Sequence, residues 1–317
     1  MKKLWLGIGL MCFSLSIVAA QKVDKTIEAS PDGYVEIEHL NGVAEIKGWD
    51  RQEVRVVGTL GDKTDKFIFH RDGNEVVIKV KVKVKRSHGW GNNDDEGDDL
   101  QIFVPNNSKL SYTSVNAEVD LAGIAGGVDV NTVNGGIEAN VLAGRIRLES
   151  VNGNIRGVKL DGDVKIETVN GDIHSLSSGG KDDKYESVNG DIIITSAGKE
   201  VRVETVNGDM ELTLSLIEHL NINTVNGSIE ARVKLAQEGE IRASSVGGSV
   251  TLLFADNVSA RFDIRGHAGG RILNELSGDK VQKGQYGPGR WLEFALNGGN
   301  GKVNVSTVSG RVKLAKE

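Results

Sequence analysis

The stretch Thr168-Val169-Asn170-Gly171-Asp172-Ile173 decides the fold, because close copies of it recur along the chain at a nearly constant spacing. The central valines of the clear copies are Val133, Val151, Val169, Val188, Val206 and Val225, which lie 18, 18, 19, 18 and 19 positions apart. Weaker copies surround Val115, Val246 and Val308. Such a spacing is typical of proteins that stack one short supersecondary unit many times.

Each unit contains short runs in which apolar and polar residues alternate, as in Val164-Lys165-Ile166-Glu167-Thr168. Alternation with a period of two predicts a strand with one inward and one outward face, so each unit predicts two short strands and two turns. An antiparallel meander fits this unit, because Asn-Gly favours hairpin turns, and so does a β-solenoid with one unit in each coil. We favour the solenoid, because stacking explains why near-identical residues recur at one phase.

The sequence therefore predicts an all-β chain that forms a single β-solenoid, similar to a parallel β-helix, with about 18 residues and two strands in each coil. Residues 111–250 are expected to form the regular coils. Residues 21–110 alternate but do not follow the repeat, and residues 251–317 depart from it again. We expect irregular coils or caps in both end regions, continuous with the solenoid, because end coils must cover an open edge.

The first 20 residues have the pattern of a secretory signal peptide. Lys2 and Lys3 precede an apolar run over residues 4–18, and Ala19-Ala20 forms a small-residue cleavage site before Gln21. We therefore expect export to the periplasm or the cell surface. Cys12 is the only cysteine and lies in this segment, so the mature chain is expected to contain no disulfide. No second long apolar run follows, so we expect no transmembrane span in the mature chain.

Composition and motifs narrow the function further. The net charge of −6 gives no general attraction to nucleic acid, and no base-reading motif is present. The sequence contains no P-loop, nucleophile elbow or zinc-spaced cluster, so no cofactor is expected. The 41 glycines against 3 prolines indicate many turns and few extended linkers.

Polar residues recur at fixed phases of the repeat. Stacked asparagines can form a ladder of side-chain amides, and both Asn and the Gly after it tolerate a left-handed corner, so we interpret this set as structural. The asparagines are Asn134, Asn152, Asn170, Asn189, Asn207 and Asn226. We interpret a second set as inward or corner-facing structural residues, namely Thr132, Ser150, Thr168, Ser187, Thr205 and Thr224.

These features together resemble the bacterial β-strand repeat family of unknown function whose members are regarded as candidate adhesins. The resemblance rests on Gly42-Val43 and Ile46-Lys47-Gly48-Trp49-Asp50, on Val54-Arg55-Val56, on Val104-Pro105, on the TVNGDI units, and on TVSGRVKL from Thr307. It covers nearly all of the mature chain. The resemblance implies a secreted β-solenoid with a role at the cell envelope, and it implies no catalytic residues.

Charged residues at fixed phases are the candidate binding surface. The repeat places Arg147, Lys165, Lys184 and Arg202 in one basic row, beside a row of Glu149, Glu167, Glu186 and Glu204. Lys79, Lys81, Lys83 and Lys85 alternate along one strand, ahead of a predicted acidic loop at residues 94–99 that follows Trp90. The basic row beside the glutamates fits either a self-neutralising solvated face or a docking surface for a zwitterionic or charged polymer. The lysine strand fits either a solvated edge strand that the acidic loop neutralises or a patch for an anionic glycan or lipid headgroup that this loop gates.

Two further patterns in the sequence bear on calcium binding and on enzymatic activity. Asp172, Asp191 and Asp209 predict an acidic column that can share Ca²⁺, but their spacing does not match the nonapeptide calcium repeat, and the acidic segment at residues 94–99 does not match an EF-hand. Asp182-Asp183 and Gly266-His267 are fragments of a polysaccharide-hydrolase pattern, and a local bulge at Asp183 explains the first equally well.

The sequence thus predicts an exported, non-catalytic β-solenoid that acts as an adhesin-like binding or scaffolding module of the bacterial cell envelope. Its expected partner is an envelope glycan or another envelope protein. The alternative is a carbohydrate-active enzyme, a hydrolase or lyase, on the same scaffold.

Overall fold

The computed structural model of the protein describes residues 21–82, 97–177 and 180–317. The expected signal peptide at residues 1–20, with Cys12, lies outside the described residues. The described chain consists of strands and turns without a helix, so the expectation of an all-β fold is confirmed. Within these ranges no helix has the length and apolar character needed to cross a membrane.

The strands follow one another closely along the chain. The N-terminal strands are β1 (Gln21–Glu28), β2 (Tyr34–Trp49), β3 (Glu53–Leu60), β4 (Thr64–Asp72), β5 (Glu75–Val82), β6 (Asp98–Pro105) and β7 (Lys109–Ala122). The central strands are β8 (Val128–Asn134), β9 (Ile137–Ala143), β10 (Ile146–Asn152), β11 (Ile155–Asp161), β12 (Val164–Asn170), β13 (Ile173–Ser177), β14 (Asp182–Asn189), β15 (Ile192–Ser196), β16 (Glu200–Asn207), β17 (Met210–Asn226), β18 (Ile229–Ser245) and β19 (Val250–Phe254). The C-terminal strands are β20 (Ala260–Gly266), β21 (Arg271–Asn274), β22 (Gln282–Lys283), β23 (Arg290–Leu296), β24 (Gly301–Thr307) and β25 (Arg311–Lys316).

The central strands pair in parallel with the equivalent strand one repeat away. Strand β10 lies between β8 and β12, and Asn152 is opposite both Asn134 and Asn170. Strand β11 lies in the same way between β9 and β13. Each repeat is therefore one coil with two strands, which confirms the solenoid and excludes the antiparallel meander for this region.

The core runs along the inside of the coils and is filled by every second residue of each strand. In β10, Ile146, Leu148 and Ser150 are buried, whereas Arg147 and Glu149 point outward. The same alternation holds in the stacked strands, so the buried residues form one continuous hydrophobic cluster. A single coil cannot close this core or satisfy its own backbone, so the stability of each coil depends on its neighbours.

The order of the coils in space differs from their order in the chain at the N-terminal end. Strand β2 pairs with β7 on one side and with both β5 and β6 on the other. The first coil of the chain is therefore stacked beneath a coil formed later. Outside it, β4 pairs antiparallel with β5, β3 with β6 and β1 with β3.

The C-terminal end uses the same arrangement. Strands β24 and β25 pair in parallel with β18 and β19 on one side and with β20 and β21 on the other. The last coil of the chain therefore lies beneath an earlier one. Strand β23 then covers β20 in antiparallel pairing. Each end of the stack thus holds a coil between two layers that are not its neighbours in the chain, β2 at one end and β24 with β25 at the other, and added antiparallel strands cover the sheet edges.

The corner at Asn170-Gly171 is a close contact between backbones and is not a left-handed turn. Within the described residues, positive φ angles at non-glycine positions occur only at Val141, Lys159 and Asn297, so the left-handed conformation expected for the repeat asparagines is wrong. Gly171 has no positive φ either. A Cβ atom on Gly171 would lie 2.2 Å from the carbonyl oxygen of Gly153 in the preceding coil. Glycine is required there because successive corners nearly touch.

Candidate functional site

One face of the solenoid carries the candidate site, and its outward residues form straight rows that run along the stack. We call it the repeat face. It is formed by β8, β10, β12, β14, β16, the C-terminal halves of β17 and β18, and β24. Because outward residues alternate with inward ones, neighbouring rows are two residues apart along each strand.

The basic row consists of Arg147, Lys165, Lys184 and Arg202, which are direct neighbours in the parallel register. The glutamate row beside it consists of Glu149, Glu167, Glu186 and Glu204, which are paired in the same way. The two rows therefore lie side by side across the middle of the repeat face.

Ion pairs connect these two rows in a zigzag. The Nζ atom of Lys165 lies 2.7 Å from Glu167 and 3.2 Å from Glu149, and Lys184 lies 2.8 Å from Glu186 and 3.2 Å from Glu167. Burial alone would raise the pKa of Glu167, but hydrogen bonds from its neighbours, first among them Lys165, lower that pKa to about 2. A hydrogen bond to Glu186 raises the pKa of Lys184. Glu167 and Lys184 therefore stay charged near neutral pH.

A mostly acidic row lies on the other side of the basic row. It contains Asp163, Asp182, Glu200, His219 and Glu240, and Arg145 stands at its end beside Asp163. The acidic and basic rows line a groove with a volume of about 430 Å³. The groove thus presents opposite charges on its two sides over several coils, an arrangement suited to polar or zwitterionic polymers.

The repeat valines form an outward apolar row. We call this set the valine row, and within the described residues it contains Val115, Val133, Val151, Val169, Val188, Val206, Val225, Val246 and Val308, each between 38% and 47% exposed. It borders the glutamate row, and the two rows line a second groove of about 880 Å³. In the sequence these valines define the spacing of the repeat, but the sequence alone predicts no function for them. The signal was present, since Ser150 is an inward residue and the next position, Val151, must point outward.

The asparagine row borders the valine row at the corner of each coil. From Asn116 onward, each Nδ2 group donates a hydrogen bond to Oδ1 of the equivalent asparagine in the preceding coil of the stack, at distances between 2.7 and 3.1 Å. The members are Asn41, Asn116, Asn134, Asn152, Asn170, Asn189, Asn207 and Asn226. An amide has two N–H donors, and the ladder uses one of them in each asparagine that donates.

The aspartates after the repeat glycines hold the corners together. Oδ1 of Asp172 accepts a hydrogen bond from the backbone N–H of Asp191 at 2.9 Å, and Asp191 does the same for Asp209 at 2.8 Å. These carboxylates are therefore engaged by the next coil. In the part of the chain that the structure describes, no three His, Cys, Asp or Glu side chains are grouped to hold a metal ion.

The two lysines of the N-terminal basic strand that can be described lie apart from the basic row. Lys79 is ion-paired with Glu36 and Glu38 at 3.1 and 2.8 Å, and its register places it in line with the glutamate row. Lys81 is exposed. The structure therefore does not join the two predicted basic sets into one surface. Lys83 and Lys85 lie outside the described residues, as does Trp90.

The acidic segment at residues 94–99 is not a uniform solvated loop. Residues 94–96 lie outside the described residues, but Asp98 is buried at the start of β6, so its assignment to a loop was wrong. Its carboxylate lies 3.2 Å from Nε2 of His39 and accepts hydrogen bonds from the backbone of Gly61 and the hydroxyl of Thr64, both at 2.8 Å. Nδ1 of His39 lies 3.1 Å from the Tyr112 hydroxyl. Sequence reasoning missed this cluster, because its members come from different strands.

The two fragments of the polysaccharide-hydrolase pattern, Asp182-Asp183 and Gly266-His267, lie far apart in the structure. Asp183 is fully buried, in register with Val164 and Val201, and accepts a hydrogen bond from Ser196. No bulge displaces it, so the bulge explanation was wrong. His267 is exposed and follows Gly266, which lies five strand pairings from β14, roughly 24 Å along the stack. These residues therefore cannot flank one glycosidic bond.

The parallel stacking of the coils and the straight outward rows make this chain a stacked β-repeat domain. The chain belongs to the Toastrack DUF4097 family, a family of unknown function whose match spans residues 35–315, and the expected resemblance is thereby confirmed.

Several solved structures are similar to this chain. A candidate adhesin from Parabacteroides merdae is 9% identical with a TM-score of 0.36, and one from Bacteroides fragilis is 11% identical with a TM-score of 0.33. A candidate lipid-binding protein from Parabacteroides distasonis is 13% identical with a TM-score of 0.31. In all three comparisons, 93% of this chain and 97% of the other chain are covered. No curated protein matches the chain.

Proposed function

We propose that the protein is an exported, non-catalytic binding or scaffolding module of the bacterial cell envelope, with a glycan strand or another envelope protein as its partner. One observation carries this proposal: equivalent charged residues of successive coils stand in straight rows along a groove. A partner with a repeating structure can contact several coils at once, and the added contacts raise the avidity without any strong single contact.

The groove between the acidic and basic rows is the proposed contact surface. Lys165 and Lys184 have about a third of their side-chain surface exposed, so they can bind a partner while keeping their glutamate neighbours. Exposed ion pairs contribute little to stability, about 0–1 kcal/mol each, so exchanging a neighbour for a ligand group costs little. This combination supports reversible binding of a polar or zwitterionic polymer.

A binding screen with matched variants tests the contact surface. Purified protein is incubated with peptidoglycan and a panel of envelope glycans, and released reducing sugar is measured in the same samples. We expect binding without sugar release. The double variant Lys165→Gln/Lys184→Gln is expected to lose at least tenfold in affinity. Lys313→Gln, which removes a comparably half-buried, ion-paired lysine from the other face of the solenoid, is expected to bind normally.

Two results would overturn this proposal. Sugar release that disappears in the Asp182→Asn variant would replace it with the carbohydrate-active enzyme. Failure to bind peptidoglycan and every glycan of the panel would remove the glycan-binding function.

Export has a separate test. The full chain is produced in a bacterial host, the cells are fractionated, and the N-terminus of the recovered protein is sequenced. We expect protein in the periplasm or the medium that begins at Gln21. Protein that stays in the cytoplasm and begins at Met1 would contradict export.

A further inference from the structure

The valine row is an apolar surface that the proposed glycan groove does not use. Its members stand at equal spacing along the stack, about 4.8 Å apart, so the row is about 40 Å long. Each valine leaves roughly two-fifths of its surface in water, although alternation would allow a polar residue there at no cost to the core. A contiguous apolar strip of this length is typical of an interaction site.

We propose that the valine row pairs with the valine row of a second copy of this chain, giving a face-to-face dimer with parallel rods. A row of identical residues at constant spacing is self-complementary, which is the requirement for an isologous two-fold interface. Valine side chains on two facing sheets can interdigitate as they do in a β-sandwich core.

The rows on either side of the valines determine the orientation. The glutamate row borders the valine row on one side and the asparagine row borders it on the other. When two such faces meet with parallel axes, the glutamates of each copy lie opposite the asparagines of the other. Each asparagine keeps one free N–H, because the ladder uses only one of the two, and a carboxylate is a good acceptor for it. Antiparallel axes would instead place glutamate against glutamate, which is unfavourable.

The area of the strip is sufficient for a weak dimer. From the glutamate row to the asparagine row, the strip with its side chains is about 15 Å wide, so each copy contributes about 600 Å². The total of about 1,200 Å² lies at the lower end of specific interfaces. We therefore expect a reversible dimer that forms as the concentration rises from roughly 1 μM to 1 mM. The groove between the acidic and basic rows stays open in this dimer, so this inference does not depend on the proposed function.

Sedimentation equilibrium with matched variants tests the proposal. Val188 and Ile193 are both 39% exposed, but Val188 lies at the middle of the valine row and Ile193 lies on the other face. We expect Val169→Lys/Val188→Lys to raise the dimer dissociation constant at least tenfold, and Ile193→Lys to leave it unchanged. Equal melting temperatures would show that the variants are folded. Wild-type protein that stays monomeric at every concentration, or a dimer that persists in the lysine variant, would overturn the proposal.

A cross-linking experiment tests the orientation with a milder substitution. Val133 lies near one end of the row, so it meets its own counterpart only when the axes are parallel. In a chain carrying Cys12→Ala, we expect Val133→Cys to form a disulfide-linked dimer under mild oxidation, and Ile193→Cys to form none. Dimers from Ile193→Cys alone would place the interface on the other face of the solenoid. Monomeric protein that holds an extended glycan along the valine row would show that a glycan covers this row instead of a second copy. Either result would overturn the proposal.

Discussion

The Nδ2 group of Asn170 donates a hydrogen bond to Oδ1 of Asn152, its counterpart one coil earlier, at 2.8 Å. Oδ1 of Asn170 in turn accepts one from Asn189 at 2.9 Å. Each asparagine is thus both donor and acceptor in one ladder along the rod. A coil that shifted against its neighbours would therefore break two side-chain bonds as well as its backbone pairing.

Replacing Asn170 tests the ladder. Asn170→Ala removes both of these bonds, and we expect the free energy of unfolding to fall by about 1 kcal/mol, the net contribution typical of exposed amide bonds. Urea denaturation measures the change. Asn140→Ala, which truncates an outward asparagine on the other face, is the control and should change stability by less than about 0.5 kcal/mol. Equal losses in both variants would mean that the ladder adds no stability.

The contact between corners predicts a larger effect. In Gly171→Ala, the new Cβ atom would lie 2.2 Å from the carbonyl oxygen of Gly153, so two coils must separate. We expect a loss of about 3 kcal/mol, at the upper end for overpacking. Thermal unfolding of Gly171→Ala and Gly278→Ala provides the comparison, because a Cβ atom on Gly278 meets nothing within 4 Å. A melting temperature of Gly171→Ala equal to that of Gly278→Ala would contradict the close corner.

The buried pair of Asp183 and Ser196 predicts a non-additive result. Ser196→Ala removes a hydrogen bond from a fully buried carboxyl group and should cost about 1–3 kcal/mol. The double variant Asp183→Val/Ser196→Ala should recover that loss, because the inward neighbours of Asp183 are Val164 and Val201. A double-mutant cycle by denaturant unfolding measures the recovery. A double variant less stable than either single variant would contradict this account.

The buried cluster around Asp98 predicts acid sensitivity. Burial alone would raise the pKa of Asp98, but hydrogen bonds from His39, Gly61 and Thr64 lower it below its ordinary value. A carboxyl whose pKa is lower in the folded state stabilises the fold above its unfolded pKa of about 3.9, and this stabilisation is lost as the pH falls through the folded pKa.

The corresponding experiment compares two neighbouring aspartates. We expect Asp98→Asn to lose about 1.5–3 kcal/mol at pH 7 and to show a flatter stability profile than the wild type below pH 5, measured by urea unfolding from pH 7 to pH 2. Asp99→Asn, at an exposed position next in the chain, should retain the wild-type profile. If Asp98→Asn kept the wild-type slope, the acid sensitivity would have another origin.

Much of the fold could be predicted from the sequence, because the regular coils depend on a single relationship, the stacking of equivalent residues, and the repeat shows which residues are equivalent. The spacing of the valines predicts the coil length, and the alternation in segments such as Val164–Thr168 predicts the inward side. The end coils could not be predicted in the same way. The insertion of β2 beneath β5 and β6, and of β24 beneath β20, depends on pairing between distant segments that no local pattern records.

The site was less accessible to sequence reasoning. The spacing of the repeat predicts which residues stand in one row. It does not predict which side chains from other strands lie beside that row and form ion pairs with it. Lys79 belongs to an alternating lysine strand in the sequence, yet it lies in line with the glutamates and is neutralised by Glu36 and Glu38. In the sequence Asp98 is one member of an acidic run. In the structure it is buried and paired with His39, which comes from a strand almost 60 residues earlier.

The most direct test of the central claim is the dependence of affinity on ligand length. Glycan fragments of increasing length, taken from whichever polymer binds in the screen, are titrated calorimetrically into wild-type protein and into Lys165→Gln/Lys184→Gln. A polyvalent row predicts that wild-type affinity rises with each added repeat until the fragment spans the groove, and that the rise is shallower in the variant. An affinity independent of fragment length, equal in the two proteins, would contradict binding along the rows.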